Sequence, residues 1–140
     1  MDAVIYTSSA YSLLSDIAAT HKDPARAVSF STILETLNPS DGDSVFLHAQ
    51  RLAQAGRWTD ALARLDRLRK VNPDNGDIVN TYGVALYHNG NLTAARTEFL
   101  EALKLVPNST DYESNLKVCE DAINEKGAPI SLQPLDAKDD

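Results

Sequence analysis

The chain has 140 residues and a formal net charge of −7, with 43% hydrophobic and 24% charged residues. That length and balance suit one globular domain whose core needs no disulfide or metal, and the negative charge argues against a nucleic-acid partner, because phosphates would be repelled. A lone cysteine, Cys119, cannot close an internal disulfide, no apolar run approaches the ~20 residues of a membrane span, and Met1–Leu14 lacks the basic start of a secretory signal; the expected setting is cytoplasmic, without membrane insertion.

In chain order, Val4, Ile5 and Tyr6 with Tyr11, Leu13, Leu14 and Ile17 follow helical spacing. They predict a helix that starts near Asp2, Ser8 or Ser9 and runs to Thr20. Asp23-Pro24 reads as an N-cap with proline at the first helical position, opening a second helix to about Leu37. The cluster Asn38-Pro39-Ser40-Asp41-Gly42 is a turn. A third helix is expected over 43–55, stopped by Gly56. A fourth starts at Thr59-Asp60 and ends near Val71, with Trp58 as a hydrophobic anchor at its start. Asn72-Pro73-Asp74-Asn75-Gly76 is again a turn.

The stretch Asp77–Pro107 carries the clearest pattern. Ile78, Val79, Tyr82, Leu86 and Tyr87 form one helical face, Asp77 suits its N-cap, and Gly90 suits its stop. Ala94, Ala95, Phe99, Ala102, Leu103 and Val106 form a second helix from about Thr93 to Leu105, which Pro107 terminates. Glycine inside a helix costs about 1 kcal/mol against alanine. Gly83 is therefore read as a place where a second helix backbone passes close by; a break or a ligand contact is the alternative. A last amphipathic helix fits 112–124, with Tyr112, Leu116, Cys119, Ala122 and Ile123 on its apolar face. After Gly127, two prolines forbid a regular helix. The acidic stretch 127–140 reads as an extended or flexible tail, or as a tail whose Ile130–Leu135 segment lies in a groove of this chain or a neighbour.

Shifting by 34 residues superposes these features. Pro107 maps to Pro73 and Pro39, Gly90 to Gly56 and Lys22, Ala95 to Ala61 and Ala27, and Phe99 to Leu65 and Ser31. A fixed period of this size marks a solenoid. The third copy reads Val79-x2-Tyr82-Gly83-x2-Leu86, then Ala95-x3-Phe99, then Pro107. The second reads Val45-x2-His48-Ala49-x2-Leu52, then Ala61-x3-Leu65, then Pro73. The first reads Tyr11-x2-Leu14-Ser15-x2-Ala18, then Ala27-x3-Ser31, then Pro39. This pattern resembles the tetratricopeptide repeat (TPR) family. No copy has that family's tryptophan. Ser31 departs most, and Phe30 is expected to fill its core space.

The resemblance implies an all-α solenoid of antiparallel helix pairs: three hairpins and a capping helix, about seven helices. The repeats fall at about 8–41, 42–75 and 76–109, with the cap at 110–125, in a single domain over 1–126. It further implies a concave groove lined by the first helix of each pair, which holds a peptide or helix of a partner protein. By register the groove carries Ser12, Asp16, Ala19 and Thr20; then Phe46, Gln50, Ala53 and Gln54; then Asn80, Val84, Tyr87 and His88; the last helix adds Ser114 and Val118. Phe46 and Tyr87 are the hot-spot candidates. The lysine, arginine and asparagine clamp with which chaperone adaptors grip a C-terminal carboxylate is missing, since Ser12, Asp16, Leu47 and Thr81 stand in its place.

No catalytic or metal constellation is present in the sequence. His21, His48 and His88 are scattered without cysteine or carboxylate partners at ligand spacing. His48 occupies a slot the family fills with leucine and reads as a packing residue. Cys119 reads as a small core residue. Arg64, Arg67, Arg69 and Lys70 form a run that is a solvated face or a site for an acidic partner. The expected function is a non-enzymatic scaffold or adaptor that binds protein or peptide, without cofactor, in assembly of a bacterial multiprotein complex. The alternative is a small acidic chaperone similar to the three-repeat chaperones of type III secretion. The oligomeric state is not set by the sequence.

Overall fold

A computed structural model describes residues 2–125, with side chains from residue 7 onward. Among the described residues are seven α-helices and no strand. They are α1 (Asp2–Thr20), α2 (Pro24–Leu37), α3 (Gly42–Gln54), α4 (Trp58–Val71), α5 (Gly76–His88), α6 (Leu92–Leu105) and α7 (Thr110–Glu125). The architecture is all-α and built of helical hairpins. The expected tail at 127–140, with its docking alternative, lies outside the described residues.

The chain forms two compact units, Met1–Val71 and Asn72–Asp140. In the first, α1 packs on α2, α2 on α3 and α3 on α4. In the second, α5 packs on α6, α6 on α7, and α7 also meets α5. Each core is built around small side chains. Ala27, Ala49, Ala61 and Leu65 are sealed in the first unit; Val79, Ala85, Ala95, Ala102 and Cys119 are sealed in the second. An alanine at such a point lets two helices approach closely, and burial of the larger side chains around it supplies most of the stabilisation.

The helix ends repeat with the same register as the cores. Lys22, Gly56 and Gly90 all have positive φ, at 59°, 77° and 88°. Around them the N–H groups of Asp23, Arg57 and Asn91 donate to the carbonyls of Ala18, Leu52 and Leu86, each at 2.9 Å. This is the closed turn that ends a helix in the left-handed region. No atom lies within 4 Å of a Cβ built on Gly56 or Gly90, so only the backbone conformation requires glycine there. Lys22 holds the same conformation with a side chain, at a cost of roughly 1–2 kcal/mol.

The helix starts are equally periodic. Asp23 and Asn91 cap α2 and α6 by accepting from Arg26 N and Ala94 N. Asp41 caps α3 by accepting from Ser44 N, and Ser109 Oγ accepts from Tyr112 N at the start of α7. One expectation is corrected. The cap of α5 is Asn75, whose Oδ1 accepts from Ile78 N at 3.2 Å; Asp77 lies inside the first turn. The helix can start earlier because Gly76 tolerates the crowding. A Cβ on Gly76 would stand 2.9 Å from Val106 Cγ2 and 3.3 Å from the Tyr112 hydroxyl.

Gly83 has a different reason from the one expected. What presses on it is the Phe99 ring of α6, whose Cε1 would lie 2.8 Å from an added Cβ. The ring is itself buried and has no room to retreat. At the equivalent positions one period earlier stand Ala49 and Leu65, both fully buried. Gly83→Ala should therefore destabilise by about 1–3 kcal/mol, despite its better helix propensity. Adding Phe99→Leu should recover much of that loss, as read by thermal or urea unfolding. A single variant as stable as wild type would remove this packing account. In the same assay Gly90→Ala should cost about 1 kcal/mol and Lys22→Gly should not destabilise.

Candidate functional site

The side chains singled out from the first helix of each pair separate into two sets. In the first unit Ser12, Phe46 and Gln50 are half-buried, whereas Asp16 and Gln54 are exposed. A buried cation that sequence reasoning passed over links two of them. Arg51 donates through Nε to Ser15 Oγ at 2.9 Å, through Nη1 to Gln54 Oε1 at 3.1 Å, and through Nη2 to Asp16 Oδ1. Ser15, itself fully buried, donates to the Ala27 carbonyl at 3.0 Å. The arginine side chain is only 10% exposed, so the three acceptors satisfy a charge that burial would otherwise make costly. Its partners lie 35 and 36 residues away in α1. The available signal was an arginine next to the core-facing Leu52. A cleft of about 470 Å³ lined by Ala19, Lys22, Pro24 and Gln54 opens beside this network.

In the second unit the expected residues converge. Val84, Tyr87 and His88 of α5 and Asn115 and Val118 of α7 surround a cavity of about 80 Å³ with Phe99 at its side. Tyr87 and His88 meet edge to face, with centroids 5.2 Å apart. Asn80 joins the same face, because its Oδ1 accepts from Asn115 Nδ2 at 3.0 Å. Further along, Tyr112 donates to Asp77 Oδ1 at 2.5 Å. Burial first, and then this carboxylate, pushes the phenol pKa up to about 12. The bond thus survives across the neutral range and fixes the start of α7 to the start of α5. The α7 residues Asn115 and Val118 complete a rim that α5 alone would leave open.

The basic run of α4 is largely absorbed within its own unit. Arg64 donates to Glu35 Oε1 at 2.9 Å and to the Asp60 carbonyl at 3.2 Å, and Lys70 pairs with Asp66 at 3.1 Å. Arg67 is exposed and Arg69 half-buried. Within the run, Arg64 is half-buried and tied to Glu35.

Glu35 also approaches His48, Nε2 to Oε1 at 3.8 Å. His48 Nδ1 lies 2.7 Å from Ser31 Oγ, and both residues are buried. The two departures from the family pattern thus answer one another. Serine replaces a bulky residue, histidine replaces leucine, and a hydrogen bond joins them. The expectation that Phe30 fills the Ser31 slot is corrected: Phe30 is half-buried and pairs with Tyr11 at a centroid distance of 6.3 Å. Ser31 Oγ also donates to the Val28 carbonyl at 3.0 Å, and His48 turns Nε2 toward Glu35. Cys119 is fully buried; its thiol donates to the Leu92 carbonyl at 3.3 Å, and burial pushes its pKa up. Trp58 is half-buried at the first position of α4. Among the described residues no group of three His, Cys, Asp or Glu could hold a metal ion, and no helix is long and apolar enough to cross a membrane.

Comparison with known proteins fits this geometry. Residues 46–110 match the family model described as tetratricopeptide repeat. The crystal structure of the Sgt2 TPR domain from Aspergillus fumigatus aligns with a TM-score of 0.76 at 16% identity, covering 95% of this chain and 89% of that one. The second TPR domain of human RPAP3, solved in complex with the HSP70 peptide SGPTIEEVD, aligns with a TM-score of 0.73 at 13% identity, covering 84% and 98%. Protein SGT1 homolog of Bos taurus is 27% identical over 114 residues; the match spans 81% of this chain but 34% of that protein. Over residues 46–110 the chain thus carries the tetratricopeptide repeat pattern, and its fold is that of tetratricopeptide repeat domains.

Burial, and then the Arg64 guanidinium, hold the His48 pKa below its ordinary 6.5. The unfolded chain therefore takes up this proton first as the pH falls. The contribution of neutral His48 is complete above pH 6.5 and is lost as the pH drops from there through the lower folded value. The melting temperature of wild type should fall between pH 7.5 and 5.5 more steeply than that of His48→Leu. Parallel curves for the two proteins would refute the assignment.

Proposed function

We propose that this chain is a non-enzymatic protein-interaction module, which holds a peptide or helix of a partner protein against the first helices of its repeats. One observation carries the reading. Side chains of α5 that the core does not use, Val84, Tyr87 and His88, converge with Val118 of α7 on an open cavity. An aromatic and an aliphatic residue around a cavity, with the amide pair Asn80 and Asn115 beside it, suit an anchor side chain and the main chain that carries it. Support comes from the human neighbour solved with a bound peptide. In the first unit Phe46 and Gln50 add a second contact region, with Ser12, Asp16 and Gln54 near it. We place the repeats at about 8–41, 42–75 and 76–109 with α7 as the cap, and the role as that of a scaffold or adaptor in a multiprotein assembly.

A chaperone role for an aggregation-prone subunit is the second reading. It draws on the exposed apolar side chains of α1 and α2: Leu13 is 59% exposed, with Leu14, Ile17, Ile33 and Leu37 also open to solvent. The state of the partner separates the two, because a scaffold holds a folded protein and a chaperone holds an unfolded one. Phe46→Ala combined with Tyr87→Ala should abolish partner capture in affinity purification from the native source while leaving helical circular dichroism intact. Capture that survives the double substitution would place binding elsewhere.

A further inference from the structure

We infer that the α5–α7 cavity selects a branched aliphatic side chain carried on a positively charged peptide. This rests on the peptide-binding reading above and adds the chemistry of the ligand to it. Size comes first. The cavity is about 80 Å³, about half the ~150 Å³ of an apolar cavity that holds benzene. A valine-sized group matches it better than an aromatic ring. The Phe99 ring cannot yield the missing space, since Gly83 already lies against it.

Charge comes second. The cavity lining has no lysine or arginine. α7 carries five carboxylates against one lysine. On its helical wheel Asp111 and Glu125 lie in line with Asn115 and Val118, one turn before and two turns after the cavity. Both are exposed. The one lysine, Lys117, sits on another side of the helix and pairs with Asp121 at 3.5 Å. On α6, Arg96 is held by Glu120 at 3.0 Å and Lys104 by Glu101 at 3.7 Å. α7 is thus net negative, and the whole chain is at −7. An acidic peptide such as the one in the human neighbour would be repelled here, and a cationic one drawn in.

The main chain is provided for as well. The bond from Asn115 Nδ2 to Asn80 Oδ1 leaves the Asn80 amide donors and the Asn115 carbonyl with capacity for one peptide group of the ligand.

Four nine-residue peptides, blocked at both ends and otherwise serine and glycine, test this by fluorescence anisotropy. Each has a central valine or phenylalanine flanked on both sides by two lysines or two glutamates. The lysine–valine peptide should bind about tenfold tighter than the glutamate–valine peptide at low ionic strength, and the gap should close as salt is added. It should also bind several-fold tighter than lysine–phenylalanine. Asp111→Asn with Glu125→Gln, both at exposed positions, should shrink the charge preference. Val118→Phe, at a site 51% exposed, should abolish the preference for valine. Equal or tighter binding of the glutamate peptide overturns the charge inference and leaves the site standing. Equal binding of phenylalanine overturns the size inference in the same way. Binding of none of the four peptides overturns the site reading and this inference together.

Discussion

The structure depends on how closely two helices can approach within a hairpin. Ala27, Ala61 and Ala95 hold the same place in three hairpins, and each is essentially inaccessible to solvent. A small residue there sets the separation, and the separation decides what the facing positions can hold. Gly83 with Phe99 and Ala49 with Leu65 are two solutions of nearly constant volume. A close-packed interior permits such exchanges only in compensated form. The same rule reaches the candidate site. Phe99 is packed from one side by Gly83 and borders the cavity on another, so the repeat core fixes the cavity's size.

Where packing gave way to polarity, the substitutions came as networks. Ser31 and His48 replace two apolar residues and bond to each other. Ser15 and Arg51 also bond to each other, across α1 and α3, with Asp16 and Gln54 as further partners of Arg51. A buried polar group without a partner costs about 1–3 kcal/mol, so single replacements of this kind would have been unstable. Both networks lie in the first unit. The second unit keeps a more apolar core, in which Val79, Ala102 and Tyr112 cluster with Leu103 and Leu105 beside them. Its polar pairs, Tyr112 with Asp77 and Asn115 with Asn80, stand at the edge between α5 and α7.

Helix ends and hairpin cores were legible in the sequence because local chemistry sets them. Proline, glycine and Asx residues act within four residues of where they stand, and their spacing is visible in one line of text. Even the misread cap was available: Asp41 and Ser109 lie one period either side of Asn75. The convergence of Val84, Tyr87 and His88 followed from helical register once the hairpins were known. The networks were not legible. Arg51 reaches residues in α1, and His48 reaches back to α2; no local pattern announces such pairs. The arginine run of α4 has the same limit, since adjacency in sequence hides that Arg64 turns to Glu35 while Arg67 stays exposed.

The buried thiol gives the chain a built-in clock. Cys119 is the sole cysteine, and it is shut beneath the Leu92 carbonyl where α7 rests on α6. An alkylating reagent can reach it only after that contact opens. Its modification rate therefore reports how readily α7 opens, with no other cysteine in the chain to confuse the signal. A ligand bridging α5 and α7 would slow that clock in proportion to how firmly it holds them.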